Sequence, residues 1–250
     1  MRPLIFAANW KMHHAPAAAT GFAARFLAST AALPGRTLWF FPPAVSIDAL
    51  ALAFGGRDDI SVGAQNVYWE PKGAFTGETS VSMVSECGGR GALVGHSERR
   101  HVFGETDEAT ARKARAVIDQ RLTAMVCVGE KLDEREAGQT EAVVGRQLEA
   151  VLSALSTAEA GSLLVAYEPV WAIGTGKVAR PEDAAEVHGF IRTRLAAKGV
   201  QERVPVLYGG SVNAGNVAGL LAQPEIDGVL VGGASLEAEA WAGIVGVAPT

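Results

Sequence analysis

The stretch Ala124-Met125-Val126-Cys127-Val128-Gly129-Glu130 opens with five consecutive apolar side chains. Successive side chains of a strand point to opposite faces, so an unbroken apolar run means a strand buried on both faces. That is the situation in a parallel sheet covered by helices. Seven further short, β-rich runs recur at wide intervals: Leu4–Asn9, Leu38–Pro42, Ile60–Gln65, Ala92–His96, Leu163–Glu168, Val204–Gly209 and Gly228–Gly232. Helix-period segments fill most of the gaps. In 105–122, Thr106 is a candidate cap, Asp107 and Glu108 suit a positive N-terminus, and Ala114, Val117, Ile118 and Leu122 form one apolar face. The segment 139–155 has the same character. Pro181 opens a helix that Gly199 can stop, and Asn213 is placed to cap another containing Leu220 and Leu221. Eight strands alternating with helices predict an α/β fold, a (β/α)8 barrel of eight parallel strands ringed by helices. A doubly wound sheet is the alternative, but eight units exceed its usual need. There is no linker, low-complexity stretch or repeat, so residues 1–250 are expected to form a single barrel domain.

Composition excludes other classes. The 250 residues are 48% hydrophobic and 20% charged, ample for a core and unlike a disordered chain. Lys and Arg total 22 against 27 Asp and Glu, a net charge of −5. No global field attracts nucleic acid or an anionic membrane, so neither is an expected partner, and an anionic ligand needs a local arrangement. No apolar run approaches the ~18 residues of a membrane helix. The N-terminal run turns polar at Asn9 and Lys11, too early for a signal peptide. Two cysteines, Cys87 and Cys127, without a C-x-x-C pair, suit a reduced, cytoplasmic setting.

In a barrel, functional groups lie at the C-terminal ends of strands. Strand one ends in Asn9-Trp10-Lys11, where alternation aims an amide and a cation the same way. Read alone, Lys11 equally fits a solvated loop lysine. Strand four ends in His96, before Ser97-Glu98-Arg99-Arg100; a helix N-terminus there would keep the imidazole neutral, able to donate to a carbonyl oxygen. A structural histidine is the other reading. Strand six ends in Glu168, beside Pro169, Val170 and Trp171. A poorly hydrated pocket raises a carboxyl pKa and makes a better base, whereas a structural ion pair would do no chemistry. Next, Pro169-Val170-Trp171-Ala172-Ile173-Gly174-Thr175-Gly176-Lys177 is apolar, glycine-bearing and outside the strand pattern, which fits a lid. Strand seven ends in Gly209-Gly210-Ser211 and strand eight in Gly232-Gly233-Ala234-Ser235. Paired glycines let backbone N–H groups approach an anion, and in barrels these two loops are the usual phosphate site.

Other motifs fail. Gly174-x-Gly176-x-x-Ala179 lacks the strand–turn–helix setting of a dinucleotide fingerprint, and Lys177-Val178 breaks the P-loop pattern. His13-His14 lacks metal-ligand spacing, so no metal or cofactor is expected. Cys127 reads as core. The groups together suit proton abstraction beside the carbonyl of a small phosphorylated substrate.

The segments Asn9-Trp10-Lys11-Met12, Gln65-Asn66-Val67, Lys72-Gly73-Ala74-Phe75-Thr76-Gly77-Glu78, Gly95-His96-Ser97-Glu98-Arg99-Arg100, Ala166 through Lys177, Tyr208-Gly209-Gly210-Ser211-Val212 and Val231-Gly232-Gly233-Ala234-Ser235-Leu236 carry a resemblance. Their order and spacing resemble the triosephosphate isomerase family over essentially the whole chain. The resemblance implies interconversion of dihydroxyacetone phosphate and glyceraldehyde 3-phosphate, in glycolysis and gluconeogenesis, without a cofactor. It makes Glu168 the base and neutral His96 the group that polarises the carbonyl. It makes Lys11 the stabiliser of enediolate charge and Asn9 an orienting group. Gly174, Ser211, Gly232 and Gly233 would hold the phosphate through backbone N–H groups, and residues 169–177 would be the lid. Glu98 would be a buried partner of Lys11 and His96, with Ser97 and Cys127 in support. It implies a homodimer, in which the loop carrying Gln65, Phe75, Thr76 and Gly77 docks into a second subunit, with Thr76 near the neighbour's Asn9 and His96. A loop folded on its own barrel is the alternative.

The departures are Val178 in the lid's second hinge, Arg180 where a Thr often caps the next helix, and Val81 after Ser80 where Pro is frequent. Two rivals remain at this stage. One is another phosphate-site barrel enzyme, such as an aldolase or a biosynthetic isomerase; a Schiff-base aldolase needs a lysine within a barrel strand, whereas Lys11 stands at a strand's end. A catalytically dead phosphometabolite-binding barrel would not need base, electrophile and lid together.

Overall fold

The structure, a computed structural model, describes residues 3–172 and 179–247. Its strands are β1 (Leu4–Asn9), β2 (Arg36–Phe41), β3 (Ile60–Ala64), β4 (Gly91–Val94), β5 (Thr123–Val128), β6 (Leu164–Tyr167), β7 (Val206–Tyr208) and β8 (Gly228–Val231). All pairs are parallel, and β8 returns to β1, closing one barrel in sequence order. The expected fold is observed. The helices are α1 (Pro16–Ser29), α2 (Ile47–Ala53), α3 (Val81–Glu86), α4 (Ser97–His101), α5 (Asp107–Asp119), α6 (Leu132–Glu136), α7 (Thr140–Ser153), α8 (Thr157–Ala160), α9 (Pro181–Ala197), α10 (Val217–Leu221) and α11 (Ala238–Gly246). Among them, no helix is long and apolar enough to cross a membrane.

The continuous apolar runs serve two cores. Met125 and Cys127 of β5 point into the barrel with Ile5, Trp39, Phe41 and Leu207. Ala124, Val126 and Val128 face outward with Phe6, Phe40 and the helices. Inside the barrel, the rings of Trp39 and Phe41 stack at 5.6 Å and 9°. Glycines make room for them: a Cβ on Gly63 would lie 2.6 Å from the Phe41 ring, and one on Gly91 2.9 Å from that of Trp39. The barrel is filled, not hollow, which leaves its ends for binding.

Two local expectations need correction. Most of the ladders stop earlier than the apolar pattern implied, so Gln65, His96, Glu168, Gly209 and Gly232 lie just past the strand ends, in loops. Asn213 does not open a helix. Its Oδ1 accepts from Gly215 N at 2.8 Å in a local turn, and α10 begins only at Val217, after Asn216. Thr106 caps α5 as expected, accepting from Ala109 N at 3.1 Å. Arg180 gives α9 no side-chain cap; it pairs with Asp183 of the first turn instead.

Helix α9 buries His188 completely, edge-on to Tyr167, with Nδ1 3.3 Å from the Glu225 carbonyl. Burial pushes its pKa down to about 3. The unfolded chain therefore takes up a proton near pH 6.5 that the folded chain refuses, so this group costs stability as pH falls from about 6.5 towards 3 and has no effect above that window. The loss runs at about 1.4 kcal/mol per pH unit. Urea unfolding at pH 8 and pH 5 is expected to show a smaller stability drop in His188→Gln than in the parent. Equal drops would refute the assignment.

Candidate active site

The C-terminal end of the barrel carries a pocket of about 290 Å³ lined by Asn9, Lys11, His96, Glu168, Ser211, Gly232 and Gly233 among others. Asn9 closes β1, but Lys11 does not reach the pocket by strand alternation. It sits past the strand with φ +50°, a left-handed conformation that costs a non-glycine residue about 1–2 kcal/mol. Two contacts hold it there. Its N–H donates to Asn9 Oδ1 at 3.0 Å, and Gln65 Nε2 donates to its carbonyl at 2.7 Å and to that of Phe41 at 2.8 Å. The resemblance had placed Gln65 only in the inter-subunit loop; within this chain it fixes the backbone of the pocket cation. Lys11 Nζ meets Glu98 Oε1 at 2.5 Å. Glu98 is not buried in the single chain, since its side chain is 45% exposed.

His96 stands at the start of α4. Its Nδ1 accepts from Glu98 N at 3.3 Å, which leaves the proton on Nε2, and Nε2 lies 3.0 Å from Glu168 Oε1. Glu168 is buried. Its Oε2 accepts from Ser97 N at 3.0 Å, Ser97 Oγ is 3.4 Å from Oε1, and the Cys127 thiol contacts it from the barrel interior. These contacts reverse two expected shifts. Burial alone raises the Glu168 pKa, but the His96 ring, the Ser97 N–H and the Cys127 thiol together hold it below the usual value. Burial alone lowers the His96 pKa, but the adjacent Glu168 charge outweighs it and the net direction is up. The Cys127 thiol is pushed far up by burial and by the same carboxylate.

Glycines in this region provide clearance as well as N–H groups. A Cβ on Gly209 would lie 2.9 Å from Glu168 Cγ, and one on Gly232 3.4 Å from Lys11 Cε. The Lys11 side chain thus passes in van der Waals reach of Gly232, and the clearance is needed at Gly209. Ser211 is held by its carbonyl, which accepts from Asn216 Nδ2 at 2.9 Å.

Glu130, past the end of β5, was not among the sequence candidates. It is wholly buried, and its carboxylate accepts from the Tyr167 hydroxyl at 3.1 Å and from Trp171 Nε1 at 2.9 Å. Its carbonyl accepts from Val170 N at 3.1 Å. It therefore pins the turn Val170–Ala172, within the segment expected to form the lid. The rule that singled out Glu168, a carboxylate just past an apolar strand, also points to Glu130. Of the expected lid, Pro169 to Ala172 are described; Ile173, Gly174, Thr175, Gly176, Lys177 and the departure Val178 lie outside the described residues.

In the loop after β3, the rings of Tyr68 and Trp69 stack at 4.1 Å, Phe75 lies 4.6 Å from Tyr68, and Arg112 covers Trp69 at 4.2 Å. The tip stays in solvent, with Phe75, Thr76 and Gly77 exposed.

The family model described as triosephosphate isomerase matches residues 4–248. Curated relatives named triosephosphate isomerase are similar along nearly their whole length. That of Moorella thermoacetica is 49% identical, covering 98% of each chain. That of Cupriavidus necator is 48% identical over 95% of this chain and 96% of its own. That of Pelobacter propionicus is 43% identical over 98% of each. A barrel with this site, matched end to end by the family model and by relatives far above 30% identity, belongs to the triosephosphate isomerase family.

Proposed function

We propose that this chain interconverts dihydroxyacetone phosphate and D-glyceraldehyde 3-phosphate through an enediolate, with Glu168 as base, His96 as electrophile and Lys11 and Asn9 as charge-stabilising and orienting groups. The observation that carries this reading is the 3.0 Å contact between Glu168 and the Nε2 of His96, at the wall of a pocket that also holds Lys11 and the two terminal glycine pairs. Substrate entering the pocket takes the place of that contact. Glu168 then loses the His96 and Ser97 donors that depress its pKa but keeps its burial, so its basicity rises only when substrate is present. It removes a proton from the carbon next to the carbonyl. His96, relieved of the Glu168 charge and still accepting from Glu98 N at Nδ1, donates from Nε2 to the carbonyl oxygen. Lys11 offsets the charge of the enediolate, Glu168 returns the proton to the former carbonyl carbon, and His96 Nε2 carries the proton of the neighbouring hydroxyl to the former carbonyl oxygen. Backbone N–H groups of Gly174, Ser211, Gly232 and Gly233 bind the phosphate, and residues 169–177 close over it. Closure keeps out water, in which an enediolate phosphate would expel its phosphate group.

The active unit in this reading is a homodimer in the cytoplasm. Met12 and Phe103 are exposed apolar side chains lining a cavity beside Lys11 and His96, a surface that a second copy's loop tip, with its exposed Phe75, would cover. Thr76 would come near the neighbour's Asn9 and His96. The test is a coupled assay of isomerisation from glyceraldehyde 3-phosphate, with sedimentation equilibrium on the same sample. Turnover without a borohydride-trapped adduct at Lys11 is expected. A trapped adduct, or a folded dimer without turnover, would overturn the reading.

A further inference from the structure

His96 must meet the substrate carbonyl in the reading above, and its own helix does little to hold it. Helix α4 has five residues, too few to be stable alone. The chain passes from β4 to α4 through two residues, Gly95 and His96. Gly95 is left-handed, at φ +70°. Both of its backbone groups are bound by side chains. Its N–H donates to Glu105 Oε1 at 2.9 Å, and its carbonyl accepts from Arg100 Nε at 2.7 Å. A Cβ at position 95 would lie 2.7 Å from Arg100 Nη2, so the glycine makes room for that guanidinium.

Arg100 lies one helical turn after His96, and its own N–H donates to the His96 carbonyl at 3.0 Å. Its side chain is buried, and each guanidinium nitrogen has a different acceptor. Nε holds Gly95. Nη1 donates to Asp107 Oδ1 at 2.6 Å, and Nη2 to the Cys127 carbonyl at 3.3 Å. Asp107 is fixed in turn by Arg146, whose Nε donates to Oδ2 at 2.8 Å. Cys127 is the β5 residue whose thiol contacts Glu168. One planar fork thus ties the residue before His96 to a residue packed against Glu168. An ammonium is a single point of charge and does not reproduce that fork. A misplacement of about 1 Å between reacting groups costs about 10²-fold in rate. We propose that Arg100 is a positioning residue for the isomerisation: by bridging the Gly95 and Cys127 carbonyls, it fixes His96 Nε2 against Glu168. This role rests on the function proposed above. Arg100 does not line the pocket, so a change there acts through its neighbours.

Arg100→Lys keeps a charge for Asp107 and loses the bridge. In the coupled assay its kcat is expected to fall at least about tenfold, with KM within about twofold of the parent. The free protein gives a second readout that needs no turnover. The low-field proton resonance of His96 Nε2–H reports the contact with Glu168, and it is expected to shift in Arg100→Lys. Thr106→Ala removes the α5 cap and touches neither carbonyl. It is expected to unfold at a lower urea concentration, with kcat and the resonance unchanged. Arg100→Gln, which brings no charge, covers the case in which the Lys variant does not fold, with the same loss and the same shift expected. Parental kcat in a folded Arg100 variant, an equal loss of kcat in Thr106→Ala, or an unmoved His96 resonance would each overturn the proposal. A parent without turnover, whose resonance still shifts in Arg100→Lys, would remove the isomerase reading and leave the placement of His96 by Arg100 standing.

Discussion

Glu168→Asp is expected to lower kcat by at least about 10²-fold, because a base withdrawn by one methylene is misplaced by about 1 Å. KM is expected to change little. Three of the four backbone N–H groups proposed for the phosphate, those of Ser211, Gly232 and Gly233, are on other loops, and binding energy remote from the reacting carbons survives a shortened base. Glu168→Gln keeps the length and the burial but cannot accept the proton, and its loss should fall at about 10²–10⁴-fold, the usual worth of a positioned base. The two variants separate placement from basicity. A Glu168→Asp enzyme with parental kcat would remove Glu168 from the role of base. Raised KM with unchanged kcat would make it a binding group. The pocket geometry sets the scale: Glu168 packs so close to Gly209 that a Cβ there would lie 2.9 Å from its Cγ, and Ser97 and His96 hold its carboxylate from the other side, so a shorter side chain finds no alternative position from which to reach the same carbon.

How far the site was legible in the sequence depended on whether a feature is local. Apolarity without alternation in 124–128 is local, and it led to the closed parallel barrel. Once a barrel is given, the rule of strand ends led to Asn9, His96, Glu168 and the two glycine pairs. The same rule overextended several strands, because Gly95-His96 and Gly129-Glu130 continue the run in composition after the hydrogen-bonded ladder has stopped. The left-handed Lys11 left no local signal. A lysine does not favour φ +50°, and the contacts that impose it come from Asn9 and from Gln65, 54 residues away. The direction of the Glu168 pKa was equally invisible. Pocket burial was foreseeable from Pro169, Val170 and Trp171, but the opposing donors are His96 after β4, Ser97 at the start of α4, 71 residues away, and Cys127 of β5. Asn213 and Asn216 are both good capping residues, and which one precedes the helix was settled by the turn that Asn213 makes with Gly215. Gly129 was visible as a glycine, but not what passes beside it.

What passes beside it makes Gly129→Ala the most damaging single-methyl change expected near the pocket. A Cβ there would lie 1.8 Å from the Glu168 carbonyl oxygen and 2.6 Å from the carbonyl carbon. The obstacle is backbone, so no rotamer relieves it. Nor can Gly129 retreat, since Gln147 of α7 clamps it on the other side, accepting from its N–H at 2.7 Å and donating to its carbonyl at 3.1 Å. Glu168 in turn is tied to β5 by its N–H on the Val128 carbonyl at 2.8 Å. The strain must open the β5–β6 seam, at a cost of roughly 3 kcal/mol or more. Any displacement of the Glu168 backbone by about 1 Å adds about 10²-fold in kcat. Gly243→Ala is the informative comparison, because Gly243 is exposed in α11 with nothing within 4 Å of its would-be Cβ. It should stabilise by about 0.5–1 kcal/mol through the helix preference of Ala over Gly. Urea unfolding of the two variants, with turnover measured per folded molecule, checks both. A Gly129→Ala protein of parental stability and kcat would mean that the β5–β6 seam can yield. The further change Gln147→Ala, which releases the clamp, should restore part of the lost turnover if the clash is transmitted to Glu168, and none if the damage lies elsewhere.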